Sequence, residues 1–407
     1  MAAVGFEMLI YSFGSGFNLE TSDPAYLAQV QAQVAYARSN GIEVGGYDLT
    51  CLDRGHGGYG GNVGDQWDRV LDDGSLGADA CFASGWVDKL SNYAYGFINL
   101  TGLSMLETDG PYGGGSCAST NHSHHLQLSD SVYQQTQVQA SWYAGLRERN
   151  VYINQPDDYF FQGGQRTGLG YDEDQYSLPR WQDLTVSRQT VYDQTYAKIP
   201  TMGWMFLPLV DYQCVGRCPL ATSACRKCLT RRIAPPLTPS PLYPRSGGGA
   251  DAAFEPMSQH LAEYEMGLAQ YMGAGVAACY RGYRLYDAPA AQAVVAKWVG
   301  IYKQYRDIIT SDIVHIRRPD GQSLDAFMHA NAFLAKNKGF ALVFNPTNFA
   351  LNQSIVFPLY YTGLTDTAAF SREGAAPATF ALARDYSVTF NVALAAQSVT
   401  WFLITEQ

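Results

Sequence analysis

The chain has 407 residues, 47% of them hydrophobic, and a formal net charge of −10. That is enough apolar material for one large domain plus a smaller one. Basic residues gather no further than pairs such as Arg231-Arg232 and Arg317-Arg318, so nucleic acid and anionic membranes are poor partners. No apolar run is long enough to span a membrane, and MAAVGFEMLIYS lacks the basic region and cleavage site of a signal peptide.

In chain order, Phe6–Phe13 reads as a buried strand and Pro24–Arg38 as a helix capped by Asn40-Gly41. Ile42–Asp48 is the next strand. A long loop rich in Gly, Asp and aromatics then passes through His56, Tyr59 and Trp67. The pattern continues with a helix over Gly85–Tyr95, a strand opening at Ser104, a helix over Asp130–Arg149 and a strand over Val151–Asn154. Leu178–Trp181 is expected to be a very short strand before a helix over Val186–Tyr196. Thr201–Leu207 is then a strand, Glu255–Tyr271 a helix and Gly275–Cys279 a last strand. Pro289–Ile309 closes the series as a helix with proline in its first turn. Strands alternating with helices at this spacing predict a parallel α/β architecture. Seven such strands fit a (β/α)8 TIM-type barrel whose first strand is missing. A dinucleotide-binding open sheet fits less well, because GSGFN at Gly14 has the wrong spacing and no acidic partner.

From about Ile313 the hydrophobic period changes to two. Phe340–Phe344, Gln353–Val356, Thr379–Ala381, Ser387–Val392 and Val399–Thr405 read as strands of a small antiparallel β-sandwich, with Asn345-Pro346-Thr347 a turn inside it. The expected domains are therefore residues 1–311 and 312–407. Residues 213–253 form an insertion with four cysteines, six prolines and no periodicity. Its spacing CVGRCPLATSACRKC suits zinc and disulfides equally. With no zinc-ribbon pattern around it and N-x-S/T sequons at Asn99, Asn121 and Asn352, disulfides in a secreted or vacuolar glycoprotein are the expectation.

The chemistry centres on Ser104–Gly115, SMLETDGPYGGG. A short apolar strand runs out into Glu107-Thr-Asp109, and Gly110-Pro111 ends it at once. A carboxylate at the C-terminal end of a barrel strand sits where such folds place catalysis, whereas most Asp-Gly pairs merely start turns. Glycosidic cleavage needs two carboxyls, and the acids at strand ends are Asp48, Asp109, Asp157, Asp158, Asp183 and Asp211. Asp183 follows Trp181, whose ring can pack on a sugar face and lower the local polarity. A helix N-cap is the competing role for Asp183. The 28 Tyr, 19 Phe and 7 Trp suit stacking on sugars, although a barrel core also absorbs aromatics. His122, His124 and His125 read as a polar loop lining the pocket, since no carboxylate or Cys completes a ligand set at metal spacing. Tyr280-Arg281-Gly-Tyr283-Arg284 suits either a polar sugar or surface ion pairs.

Taken in order, GIEVGGYDL, LETDGPY, VYINQPDDYFFQGGQRTGLGYD and WQDLTVSRQTVYDQTYAKIPTMGW resemble the third to seventh strand regions of the melibiase-type α-galactosidases. Those are retaining enzymes with a barrel and a C-terminal sandwich. The resemblance spans nearly the whole chain. It implies a retaining glycosidase acting on an α-galactoside, without metal or cofactor, with Asp109 as nucleophile and Asp183 as acid/base. It further implies Asp48, Trp67, Tyr112, Asp158, Arg166 and Trp181 as substrate contacts. Three departures stand out. Glu107 replaces the usual Lys two residues before the nucleophile, and Asn154 or Gln155 stands near the place of a Cys. Nothing before Phe6 supplies a first barrel strand, so an upstream segment or partner chain is expected to fill the gap. A non-catalytic carbohydrate-binding relative is the alternative reading.

Overall fold

The computed structural model describes residues 1–11, 15–51, 63–110, 114–154, 179–196, 206–209, 253–276 and 279–406. The chain divides into two compact units. The first is Met1–Tyr171 with Ile199–Trp204, and the second is Asp172–Lys198 with Met205–Gln407.

In the first unit, β1 (Met8–Tyr11), β2 (Glu43–Leu49), β5 (Met105–Asp109) and β6 (Tyr152–Asn154) form one sheet in the order β1-β2-β5-β6. All three pairings are parallel. Among the described residues, β1 pairs only with β2. Helices α1 (Pro24–Ser39), α2 (Gly85–Thr101) and α3 (Leu128–Glu148) connect these strands. Each starts for a readable reason. The Asp23 carboxylate accepts from the Ala25 N–H with Pro24 behind it, the Ser84 hydroxyl accepts from Trp86, and Gln127 and Asp130 form a reciprocal capping box. Val30 and Val34 of α1, Trp86, Leu90 and Phe97 of α2, and Trp142 and Leu146 of α3 bury one sheet face together with Val44, Leu106 and Ile153. Two adjacent glycines in β2 are required by packing. A Cβ on Gly45 would lie 2.4 Å from Met105 Sδ, and one on Gly46 2.3 Å from the Phe17 ring. The long loop expected after β2 also contains a hairpin, β3 (Asp68–Val70) with β4 (Leu76–Ala80).

The second unit begins with α4 (Arg180–Tyr196), which corrects the sequence reading of Leu178–Trp181 as a strand. Pro179 precedes the helix, and its carbonyl accepts the Asp183 N–H, so the chain is already helical at Trp181. Strands β7 (Phe206–Pro208) and β8 (Cys279–Arg281) pair in parallel. Helices α5 (Leu261–Ala274), α6 (Pro289–Gln304) and α7 (Arg306–Ile309) complete the helical part. The expected strand at Gly275 starts instead at Cys279. Gly275, at φ +69°, closes α5 in the left-handed conformation, where its N–H returns to the Met272 and Tyr271 carbonyls.

The C-terminal part is an antiparallel sandwich. Its strands are β9 (Asp312–Arg317), β10 (Asp325–Ala330), β11 (Asn337–Asn345), β12 (Leu351–Pro358), β13 (Thr367–Arg372), β14 (Ala378–Ala381), β15 (Ser387–Leu394) and β16 (Ser398–Thr405). Six lie in the order β14-β13-β16-β11-β10-β9, and β12 pairs with β15 in a second sheet. Met328, Val343, Phe370 and Phe402 of the first sheet share a core with Ile355, Phe357, Val388 and Val392 of the second. Arg188 of α4 reaches this part, donating through Nε to Asp325 Oδ1 at 3.0 Å while its guanidinium lies 4.0 Å from the Phe344 ring centroid.

Candidate active site

Strand parity decides what the sheet of the first unit presents. Parallel pairing aligns Tyr47, Glu107 and Asn154 in one row, and Leu49 with Asp109 two residues further on. Val44, Leu106 and Ile153 occupy the intervening rows and are buried under the helices. Side chains alternate along a strand, so Tyr47, Glu107, Asn154 and Asp109 share the face opposite the helices. Asp109 is the last residue of β5 and half-buried, whereas Glu107 is fully buried.

The end of β5 is held by its neighbours. Tyr47 donates its hydroxyl to Asp109 Oδ2. The Thr50 N–H donates to the Asp109 carbonyl at 3.0 Å, and the Thr50 hydroxyl donates to the Gly110 carbonyl at 2.7 Å. Trp86 Nε1 in turn donates to the Thr50 carbonyl at 2.8 Å, which fixes the clamp to α2. Gly110, at φ +80°, then turns the chain out of the strand. A half-buried carboxylate thus stands at a strand end with its backbone pinned on one side and one oxygen oriented by a phenol. That arrangement suits a positioned nucleophile or a sugar-hydroxyl acceptor.

The other residues named from sequence fall in several places. Asp48 is buried in the row of Thr108, whose hydroxyl is 2.9 Å from the Tyr143 hydroxyl of α3, so it lies on the helix-packed side of the strand. Trp67 is half-buried beside Trp86 at 6.0 Å, with the Lys89 ammonium 5.3 Å from its ring. Tyr112, Asp158 and Arg166 lie outside the described residues, as do Asp157, Asp211 and the four cysteines of the insertion. Asp183 is buried in the first turn of α4, not at a strand end. Trp181, also in that turn, donates its indole N–H to the Pro346 carbonyl at 3.1 Å, so it braces the sandwich turn read at Asn345-Pro346-Thr347. At the segment after β8, Tyr283 donates to Glu255 at 2.6 Å and Arg284 forms an ion pair with the same carboxylate.

Tyr47 and Thr50 were missed by sequence reasoning. The only signal for Tyr47 was the parity of β2. Asp48, the acid named from the sequence, stands on the opposite face of that strand. Thr50 carried no signal at all, because its role depends on the carbonyls of a strand about 60 residues away.

The histidine loop also differs from its reading. His124 turns to Asp88, with Nε2 2.9 Å from the carboxylate. His122 and His125 instead gather with Cys81 and Cys117, whose ligating atoms all lie within 4.8 Å of one another. The expectation that no Cys completes this set is therefore corrected. The β3–β4 hairpin brings Cys81 back to the loop before α3, a contact that spacing along the chain cannot reveal. Cys81 donates to Cys117, which lowers the Cys117 thiol below its usual range with His122 assisting, while Cys81 is raised. Among the described residues, Cys81 and Cys117 carry free thiols.

No protein-family model matches the sequence, and no curated protein matches it. Solved structures do. An α-galactosidase from Lactobacillus brevis superposes with a TM-score of 0.61 at 12% identity, covering 99% of this chain and 51% of that one. A GH27 β-L-arabinopyranosidase from Geobacillus stearothermophilus gives 0.59 at 9% identity, covering 99% and 90%. An α-amylase from Geobacillus thermoleovorans gives 0.57 at 10% identity, covering 100% and 89%. The chain spans about half the length of the GH36 enzymes in this group. Identities this low speak to the fold alone, and the fold of this chain is α-galactosidase-like.

Proposed function

We propose that the protein is a glycoside hydrolase that cleaves α-galactoside-type bonds with retention, using Asp109 as the nucleophile. One observation carries the reading. In an α-galactosidase-like fold, Asp109 ends its strand on the face away from the helices, with the Tyr47 hydroxyl on its carboxylate. In the first step Asp109 attacks the anomeric carbon to give a covalent glycosyl-enzyme while the leaving oxygen takes a proton. In the second step water displaces the enzyme.

Motif order assigns the proton donor to Asp183. Asp183 is buried in the first turn of α4, not at a strand end. A donor must hold its proton at the working pH, so the experiment compares Asp183 with Asp157 and Asp158. An aryl α-glycoside panel identifies the sugar, and a 2-fluoro glycoside of that sugar traps the intermediate. The expected label is on Asp109, and Asp109→Asn should lose at least about 1,000-fold in kcat/KM, roughly 4 kcal/mol of barrier. Of the three donor variants, the one that spares activated aryl glycosides but cripples poor leaving groups names the acid. A label on another carboxylate, or an active Asp109→Asn, would overturn the nucleophile assignment.

Glu107 supports a second reading. A fully buried carboxyl stands in the row next to Asp109, where the resemblance puts a lysine. A carbohydrate-binding protein without turnover is consistent with that change. Calorimetric binding of a galactoside, with no release from any aryl glycoside, would establish it.

A further inference from the structure

We infer that Cys81, Cys117, His122 and His125 form a structural zinc site that ties the β3–β4 hairpin to the loop between β5 and α3. Ligand type and geometry agree. Two thiolates and two imidazoles form a set that zinc takes in closed, four-coordinate sites. With Zn–S near 2.3 Å and Zn–N near 2.05 Å, the edges of a tetrahedron run from roughly 3.3 to 3.8 Å. Cys117 Sγ lies 3.5 Å from His122 Nδ1, and His122 Nδ1 lies 3.1 Å from His125 Nε2. The imidazole planes stand at 81° to each other, so both rings point their nitrogens inward without stacking.

The surroundings orient the ligands in the way metal sites require. His125 Nδ1 faces the Gln127 carbonyl at 3.3 Å. A proton there leaves Nε2 bare and aimed into the cluster. The Val70 N–H donates to Cys117 Sγ at 3.3 Å, and the Cys117 N–H donates to the Ser131 hydroxyl at 3.0 Å. Backbone pairing brings the segments together independently of the side chains, through Cys81 N–H to the Trp67 carbonyl, Ala118 N–H to Val70 and His124 N–H to Ala83. Cys81 and Cys117 are each 0% exposed, His125 is 3% exposed and His122 is half-buried, and the four side chains fill a tetrahedral set with no position left for a substrate. The metal is therefore structural. Its place is immediately downstream of Asp109, so it holds the loop that leaves the candidate nucleophile.

The test uses the full chain purified without chelator, with Cys214, Cys218, Cys225 and Cys228 all replaced by Ser so that the insertion cannot contribute. Mass-spectrometric metal analysis should find about one zinc per chain, and it should disappear when Cys81→Ser and Cys117→Ser are combined. Cobalt incorporated during growth needs no variant at the site. It should give intense tetrahedral d–d bands and a thiolate charge-transfer band, and His125→Gln should weaken both. Chelation should lower the thermal midpoint and open residues 114–127 to protease. Zinc retained by the Cys81/Cys117 double variant would overturn the proposal. So would a zinc-free chain whose non-reducing peptide map shows a Cys81–Cys117 disulfide, or a cobalt protein lacking the charge-transfer band.

Discussion

Replacing Tyr47 by Phe removes one hydroxyl that donates to the Asp109 carboxylate and leaves the ring of a largely buried residue in place. A hydrogen bond to a charged acceptor contributes about 1.5–3 kcal/mol. Its effect on catalysis depends on where the charge is. On the proposed mechanism Asp109 attacks as the carboxylate. At each transition state about half of that charge has passed to the forming or breaking bond, and in the glycosyl-enzyme very little remains. Losing the donor therefore raises the free enzyme most, each transition state about half as much, and the intermediate least. Glycosylation from free enzyme should not slow. Deglycosylation, in which the carboxylate is regenerated as a leaving group, should lose roughly 0.75–1.5 kcal/mol, a factor of about 4–12. Stopped-flow release from an activated aryl α-glycoside reads both steps. The expected result is a burst followed by a slower steady state, with kcat reduced and kcat/KM maintained. A proportional fall in kcat and kcat/KM without a burst would refute the argument and make Tyr47 a contact to the sugar or to the fold only.

Other expectations concern the second unit. Arg188 and Asp325 are 4% and 1% exposed, so Arg188→Met should cost about 3–5 kcal/mol by stranding a carboxylate beneath Phe344. For a unit of about 230 residues that is a fall of roughly 6–10 °C in thermal midpoint. Arg188→Met with Asp325→Leu should recover most of the loss, and a double variant as unstable as the single one would show that the two do not couple. His329 and His315 are both held below the usual histidine range, chiefly by burial. A histidine whose folded pKa is depressed contributes stability above its unfolded value near 6.5 and loses it as pH falls through that value. The thermal midpoint should therefore drop as pH falls below about 6.5. His329→Gln should flatten the profile, even if it also gives up the 2.7 Å bond to the Gly273 carbonyl. An unchanged slope would place the sensitivity elsewhere.

The sequence declared its regular elements wherever one face was apolar and the ends were marked. Asp23-Pro24, Ser84-Gly85 and the alternation around Phe340–Phe344 each carry a local cause for a local structure. It misled where one residue served two signals. Leu178–Trp181 looks like an apolar strand, yet Pro179 is also a helix-start residue, and the capping geometry won. Gly275–Cys279 looks like an apolar strand, yet Gly275 is the left-handed close of α5. The site was legible at Asp109, where Gly-Pro cuts off an apolar strand. It was illegible at Tyr47, Thr50 and Cys81, because their roles depend on strand register and on a hairpin. Met105 and Leu106 are both apolar, so β5 alone does not say which of its faces the helices cover.

Parity also bears on where the second carboxyl comes from. Retaining pairs stand about 5–5.5 Å apart across the scissile bond. Glu107 is two residues before Asp109 on the same strand and face, a separation of about 6.6 Å along the strand by its rise. Distance alone comes close to admitting it as the acid. Burial and direction do not. Glu107 is 0% exposed and lies between Tyr47 and Asn154 in the row beneath Asp109. A proton donor must reach a leaving oxygen that departs on the far side of the sugar from the attacking carboxylate. A carboxyl below the nucleophile is on the nucleophile's own side. Glu107 is therefore a buried carboxyl beneath the candidate nucleophile, not a candidate for the acid. On the proposed reading the acid belongs to a different element, and the dependence of Asp183, Asp157 and Asp158 variants on the leaving group selects which one.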